Sequence, residues 1–398
     1  MFSADLTPPR PRGTLRVVHL LKEYLPYSCS WIFHQITGPK GVEALTVAWE
    51  GKDSALEAFP NPHLTRLRRS NPLHYWLARP LTPLGIRRLS MAARSALEDF
   101  SPDLTHAHFG HYGWSYLPIV KAMRLPLVVS FYGHDMSELP RLRPAWISRY
   151  AELFDFGRLF FCEGPVMAAG LRRLGCPAEK IRIQRLGVDC SRVVVWPRYF
   201  EPGETLRVLL AARMTEKKGI PDAVKAVAAA SRKIPIHLTI AGDAAPGRKG
   251  RQEEKRILQA IRDTSSAGLV TLTGRVRYDE LFRIAREHHA LIQPSRTSST
   301  GDTEGGIPVS LIELGATGMT AVATRHADIP EVLRDAENGL LVDEGDVDRL
   351  ADALVKLATT PQMVHCMGQA MARHITREFD QARCHAQLVA HYEEAVGR

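Results

Sequence analysis

The sequence predicts an α/β protein made of two doubly wound, Rossmann-like domains with parallel sheets facing a central cleft. Three observations carry that expectation. Short runs rich in Val, Ile and Leu alternate with longer amphipathic stretches almost from end to end, the pattern of parallel strands covered by helices on both faces. The series breaks once, between residues 186 and 204, where Gly187, Pro197, Pro202 and Gly203 supply linker chemistry, and then restarts. The length of 398 residues suits two or three domains at about 150 residues each.

In the first half, strands are expected at residues 15–21, 44–49, 104–108, 127–131, 159–162 and 181–185, with helices at 85–100, 111–123 and 165–174. The boundary falls near Pro197, giving domains 1–196 and 197–378. In the second half, strands are expected at 206–211, 237–241, 269–273, 290–293 and 320–323. Helices are expected at 221–232, with Pro221 in the favoured first position, and at 253–263, 278–288, 308–317, 346–358, 362–378 and 381–396. Ligands of such domains bind at the carboxyl ends of the strands.

Composition narrows the class. Hydrophobic residues make up 45% and charged residues 24%, values of a globular enzyme that exclude a disordered, collagen-like or coiled-coil chain. No run approaches the roughly 20 apolar residues that span a bilayer, and residues 1–12 lack the apolar segment of a secretory signal. Six cysteines without a C-x-x-C predict neither a disulfide framework nor a zinc site, and suit reduced cytosolic thiols. The net charge of +9 admits nucleic acid, an anionic membrane or a phosphorylated small molecule. Between residues 61 and 100, Arg66, Arg68, Arg69, Arg79, Arg87, Arg88 and Arg94 meet only Glu98 and Asp99, with Tyr75, Trp76 and Leu77 among them. That is either a solvated face or a surface that leans on anionic headgroups. No nucleic-acid motif accompanies the charge.

Three segments carry chemistry. The first runs from Gly301 to Glu313 (GDTEGGIPVSLIE). Here Gly305 and Gly306 let backbone approach a ligand, and Pro308 opens a helix whose free N–H groups favour an anion. Glu304 and Glu313 suit sugar hydroxyls, which donate hydrogen bonds. The second places Arg213 and Lys218 after the strand at 206–211, two cations able to neutralise a diphosphate leaving group. The third is a set of strand-end histidines, His106, His108 and His134, able to bind metal, act as base or donate to a ligand. No further ligand series supports metal. There is no G-x-G-x-x-G after the first strand, no Walker loop and no G-x-S-x-G.

Taken in order, DLTHAHFG at 103–110, VSFYGHDMS at 129–137, the segment 163–189, Arg213–Gly219, IAGD at 240–243, LTGRV at 272–276 and 294–331 ending in ATRHADIPE resemble the family 4 retaining glycosyltransferases of the GT-B fold. The likeness covers nearly the whole chain and is nearest the branch that builds bacterial exopolysaccharide, including colanic-acid-type enzymes. It implies that Glu304 holds hydroxyls of a donor sugar, with the backbone of Gly305, Gly306, Ile307, Pro308 and Val309 near sugar and diphosphate. It implies Glu313 on the ribose, Arg213 and Lys218 on the diphosphate, and Gly274, Arg275 and Val276 around the base. Residues 379–398 would cross back onto the first domain. Two departures stand out. Eight residues separate Glu304 from Glu313 where the family usually has seven. Tyr132 stands where a histidine often follows the strand-end aromatic, with His134 two places later.

The resemblance implies a cytoplasmic hexosyltransferase, peripheral to the membrane if the basic segment docks there. It would move sugar from a UDP- or GDP-sugar to a lipid-linked or saccharide acceptor in polysaccharide synthesis, without cofactor or metal. His108, Tyr112 and Trp114 are candidates for the acceptor side. The alternatives are a sugar-nucleotide epimerase on the same architecture and a sugar-nucleotide-binding subunit without turnover.

Overall fold

Runs such as Leu-Val-Val-Ser at 127–130 are apolar on both faces, and such a strand is stable only between two layers of helices. A computed structural model describes residues 13–25, 29–70, 73 and 88–398. It contains two parallel sheets, one on each side of residue 197. The first holds β1 (Leu15–Glu23), β2 (Val42–Glu50), β3 (Leu64–Arg66), β4 (Leu104–His108), β5 (Leu127–Ser130), β6 (Leu159–Cys162) and β7 (Ile181–Ile183), in the order β3-β2-β1-β4-β5-β6-β7. The second holds β8 (Leu206–Ala211), β9 (Ile236–Ala241), β10 (Val270–Gly274), β11 (Ala290–Gln293), β12 (Thr320–Thr324) and β13 (Leu340–Val342), in the order β10-β9-β8-β11-β12-β13. In both, strand order reverses beside the first strand, which opens a crevice at the carboxyl ends.

The helices Gly110–Ala122 and Ala145–Phe156 cover one face of the first sheet, burying Tyr116, Leu117, Tyr150 and Phe154 against Val18, Val129 and Phe160. The opposite face is covered from the far end of the chain. Leu388 and Tyr392 of the last helix, Gln381–Val396, pack on Leu15, Val17, Leu104, Val128 and Phe161. Tyr392 also reaches His106 Nδ1 with its hydroxyl at 2.7 Å. The chain therefore passes between the lobes twice. The two crossings run side by side: Val188 donates to the Phe379 carbonyl at 3.0 Å and Gln381 to the Val188 carbonyl at 2.9 Å.

Several elements differ from expectation. Residues 88–93 form a 3-10 turn and Arg94–Phe100 an α-helix in place of one helix; residues 85–87 lie outside the described residues. The helix expected at 253–263 starts earlier, as Arg248–Asp263. Pro308 is the cap of the helix Val309–Ala316, outside its first turn, because its ψ of 121° is not helical. The three-residue strands β3 and β13 are too short to show a periodicity. The helix Ala145–Phe156 did have a legible signal, with buried Trp146, Tyr150, Leu153 and Phe154 at helical spacing.

The basic segment is partly neutralised by residues outside it. Pairing of β3 with β2 brings Asp53 within 2.8 Å of Arg66 and 2.9 Å of Arg69, and Glu50 within 4.0 Å of Arg68. Arg94 pairs with Glu98 at 2.7 Å. Tyr75, Trp76, Leu77, Arg79 and Arg87 lie outside the described residues. Among the described residues, no helix is long and apolar enough to cross a membrane. None of the six cysteines is in a disulfide.

Tyr392→Ala is expected to lower the unfolding free energy by about 3–5 kcal/mol through the cavity it leaves. Tyr392→Phe, which only orphans His106 Nδ1, should cost about 1–3 kcal/mol. Chemical denaturation measures both, and equal losses would contradict the packing role of the ring.

Candidate active site

Every loop of interest leaves the carboxyl end of a strand and enters the cleft. From the second sheet, Arg213 and Lys218 follow β8, Ser295 and the loop to Pro308 follow β11, and His326 and Asp328 follow β12. From the first, Tyr132 to Asp135 follow β5 and Glu163 follows β6.

Glu304 is the most constrained of these groups. Lys218 Nζ donates to its Oε2 at 2.8 Å and Ser295 Oγ to its Oε1 at 2.6 Å. Its backbone N–H donates to His326 Nε2 at 3.1 Å, and the far nitrogen of that ring meets Glu344 at 2.6 Å. Lys217 ties the same loop down at the Thr303 carbonyl and at Asp302. Burial alone would raise the Glu304 carboxyl, but Lys218 and Lys217 hold it below its ordinary value. Burial lowers the Lys218 ammonium, and Glu304 offsets this only in part. Arg213, by contrast, is exposed, and no ion pair is recorded for it among the described residues. It lies close enough to Lys218 to repel its charge. Among the described residues, Lys218 and Lys217 are thus already paired, and Arg213 is available to an anion.

The loop after Glu304 is pressed against the other lobe. Gly133 and Gly305 both have positive φ, 110° and 79°. A Cβ on Gly305 would lie 2.4 Å from Gly133 Cα, and one on Gly306 would lie 2.2 Å from Glu163 Oε2. Only glycine fits at these positions. The Gly133 turn is itself held by buried Asp135, which accepts from Tyr132 N at 3.1 Å and from Gly110 N, at the start of the helix Gly110–Ala122, at 2.7 Å. Glu163 accepts from Ile307 N at 3.1 Å. At the cleft margin, Lys249 meets buried Glu138 at 2.5 Å.

The remaining donor-side residues line the second lobe. Glu313, in the helix Val309–Ala316, is hydrogen-bonded to Tyr278; burial pushes its carboxyl up to about 7 and the hydrogen bond opposes the rise. Gly274 ends β10 with φ 68° and accepts Gly242 N at 3.0 Å. Arg275 beside it is exposed and Val276 half-buried.

The acceptor-side candidates separate. Tyr112 is half-buried, but His108 and Trp114 lie inside the first lobe, which withdraws them from the acceptor surface. Trp114 donates its indole N–H to Glu152 at 2.8 Å. His108 belongs to a buried relay: His19 Nδ1 meets His108 Nε2 at 3.0 Å, His108 Nδ1 meets the Tyr132 hydroxyl at 2.8 Å, and that hydroxyl donates to Gln35 Oε1 at 3.0 Å. Since the Tyr132 proton goes to Gln35, His108 donates from Nδ1 and accepts at Nε2. Burial, then neighbouring histidines, hold His106 and His108 far below the usual imidazole range. The His106 and His108 rings stack with centroids 4.3 Å apart, and both His106 nitrogens are taken, by Tyr392 and Ser130. His134 is half-exposed and pairs with Glu138 at 3.0 Å. Of the two residues considered for the family histidine's place, Tyr132 is committed to the relay and His134 to Glu138.

Comparison with known proteins follows this division into lobes. Residues 40–192 match the model of Glycosyltransferase Family 4 and residues 205–360 that of Glycosyl transferases group 1. The amylovoran biosynthesis glycosyltransferase AmsK of Erwinia amylovora is 31% identical over 73% of this chain and 69% of its own length. The chain belongs to glycosyltransferase family 4. WcaL of Escherichia coli (strain K12), a glycosyltransferase ascribed to colanic acid biosynthesis, is 30% identical over 67% of this chain, which spans 64% of WcaL. The crystal structure of Anabaena HepE in complex with UDP superposes with a TM-score of 0.75 at 16% identity, covering 96% of this chain and 100% of that one. The fold is GT-B. The sequence assigned no role to Ser295 and Lys217, which hold the Glu304 loop, or to Glu163 and Asp328, which bond backbone N–H groups of the opposite lobe. Glu163 and Asp328 stand at strand ends, the one positional signal available.

Two stability outcomes follow from the charges. Lys218→Met strands the Glu304 carboxylate in a buried site and is expected to cost about 3–5 kcal/mol, largely regained in Lys218→Met/Glu304→Gln; denaturant titration of both variants checks it. Burial pushes Glu163 up to about 8 and Asp328 up to about 6. Both are raised, so between the ordinary carboxyl value and the raised one the native state binds more protons than the unfolded chain, and stability falls as pH rises across that interval, levelling off above it. Glu163→Gln, which mimics the protonated acid, should flatten the fall in melting temperature between about pH 4.5 and pH 8. An unchanged slope would mean that Glu163 is ionised throughout.

Proposed function

We propose that the chain transfers a sugar from a UDP- or GDP-sugar to a hydroxyl of a lipid-linked or saccharide intermediate in polysaccharide synthesis, with retention at the anomeric carbon. The observation that carries this reading is the exposed, unspent cation Arg213 beside the Lys218–Glu304 pair, at the mouth of a cleft bounded by the helix start at Val309. As the anomeric C–O bond breaks, negative charge grows on the leaving diphosphate. Arg213, Lys218 and the helix N-terminus are fixed in advance where that charge develops, so they stabilise it without reorganising. These groups supply the positive charge that a metal supplies in other transferases, and the reading calls for none. Glu304 holds sugar hydroxyls with its carboxylate, kept ionised by two lysines. Glu313 takes the ribose, and the backbone at Gly274 to Val276 frames the base.

The acceptor enters from the first lobe, where half-buried Tyr112 and half-exposed His134 line the approach. No protein nucleophile is needed if the leaving phosphate oxygen takes the acceptor proton on the same face. The basic segment 61–100, with Leu73 exposed, rests on an anionic membrane face where a lipid-linked acceptor resides, which makes the protein peripheral and cytoplasmic.

Arg213→Ala is expected to lower kcat by roughly 10²–10³ with no change in melting temperature, since its side chain is exposed. Release of nucleoside diphosphate from a panel of UDP- and GDP-sugars, with and without acceptor, measures it. Near-normal turnover in this variant would discredit the assignment, and donor consumption without acceptor would favour an epimerase.

A further inference from the structure

Two carboxyl groups outside the transfer chemistry cross the cleft in opposite directions. Glu163, at the end of β6 in the first lobe, accepts the Ile307 N–H just ahead of the helix Val309–Ala316 in the second. Asp328, past the end of β12 in the second lobe, accepts Val166 N at 2.8 Å and Met167 N at 3.3 Å, in the first turn of the helix Pro165–Arg173 in the first. Each side chain fills a space that a glycine leaves open: a Cβ on Gly306 would meet Glu163 at 2.2 Å, and one on Gly164 would meet Asp328 at 2.4 Å. Glu163 is 6% exposed and Asp328 1%. Asp328 follows Ala327, whose φ of 47° is a left-handed conformation costly for a residue with a Cβ, and such strain persists only where the surroundings over-determine it.

The arrangement is reciprocal and short-range. The two chain crossings at Val188 and Asp380 hold the lobes together at one place, and the paired caps hold them across the cleft. The N–H groups of Val166 and Met167, at a helix start, lack partners within the helix and favour an acceptor; that of Ile307 lies two residues ahead of its helix. When the lobes part, both acceptors and all three N–H groups exchange a fixed partner for water together. A cavity of about 360 Å³ bordered by Val166, Met167, Gly305, His326 and Ala327 lies beside this contact, and the ion pairs Lys249–Glu138 and Arg185–Glu331 also bridge the lobes.

We propose that Glu163 and Asp328 form a reciprocal cross-lobe latch that sets the closed arrangement, and that through it Glu163 is a positioning residue for the loop 304–307. The closure rests on the geometry alone. Its effect on donor affinity rests on the transferase reading.

The test uses the full chain with Glu163→Ala, Asp328→Ala, the double alanine variant and Glu163→Gln. Inter-lobe distance is read between a label on exposed Cys366 and one on Ser95→Cys. The alanine variants should lengthen and broaden that distance, and Glu163→Gln, which keeps an acceptor oxygen, should not. In turnover with the preferred nucleotide sugar, loss of the closed population should raise donor KM roughly tenfold or more in the double variant with far less change in kcat. Glu163→Gln should stay near wild type in both. Unchanged distances in the alanine variants overturn the latch, as does a Glu163→Gln variant as impaired as Glu163→Ala. Should the alanine variants fail to fold, hydrogen exchange on the wild-type protein decides. The amides of Val166, Met167 and Ile307 should be protected and open together, and exchange at the rate of exposed loop amides would overturn the proposal. A wild-type protein without turnover would remove the donor-affinity claim and leave the distance and exchange readings to judge the latch.

Discussion

The backbone from Glu304 to Ile307 is held from both lobes at once, and the rest of the cleft is arranged around that constraint. On its own side Lys218 and Ser295 fix the Glu304 carboxylate while His326 takes its N–H. On the other side Gly133 abuts Gly305 and Glu163 takes the Ile307 N–H. A segment gripped in this way has little freedom left to lose when a ligand arrives, the condition for placing donors and acceptors before the reaction. It also gives the spacing of eight residues between Glu304 and Glu313 a physical reading. The loop has two adjacent glycines with separate tasks, Gly305 meeting the opposite backbone and Gly306 leaving room for a carboxyl group.

Charge is distributed with the same economy. Lys218 is neutralised by Glu304, Lys217 by Asp302 and, at the margin, Lys249 by Glu138, so these pairs shape the cleft more than they attract ligand. Arg213 stands apart as a cation with its charge uncommitted. The net charge of +9 is therefore a poor guide to where an anion binds. The arginines at 66, 68 and 69, prominent in the sequence, are largely answered by Asp53 and Glu50.

Alternation of strand and helix, the restart after residue 197, the positions of Arg213, Lys218 and Glu304 in loops that follow strands and that of Glu313 in the helix beyond were legible because each is local. What was illegible depends on residues far apart in the chain. His106 and His108 read as ligand-facing histidines at a strand end. They are sealed by Tyr392, 286 positions after His106, and by pairing of His108 with His19 and Tyr132. Trp114 reads as a cleft aromatic and is a core residue, because helix orientation about its axis depends on Trp146 and Glu152 in the next helix. Glu163 and Ile307 lie 144 positions apart, and no spacing rule within one lobe connects them.

The central claim is that the crevice between the lobes grips a diphosphate so that the sugar attached to it can leave. A crystal structure with UDP or GDP tests it most directly. The account predicts diphosphate oxygens within hydrogen-bonding distance of the Arg213 guanidinium, beside Lys218 and the loop that runs from Glu304 to Val309. A nucleotide seated elsewhere, with that crevice unoccupied, would contradict it.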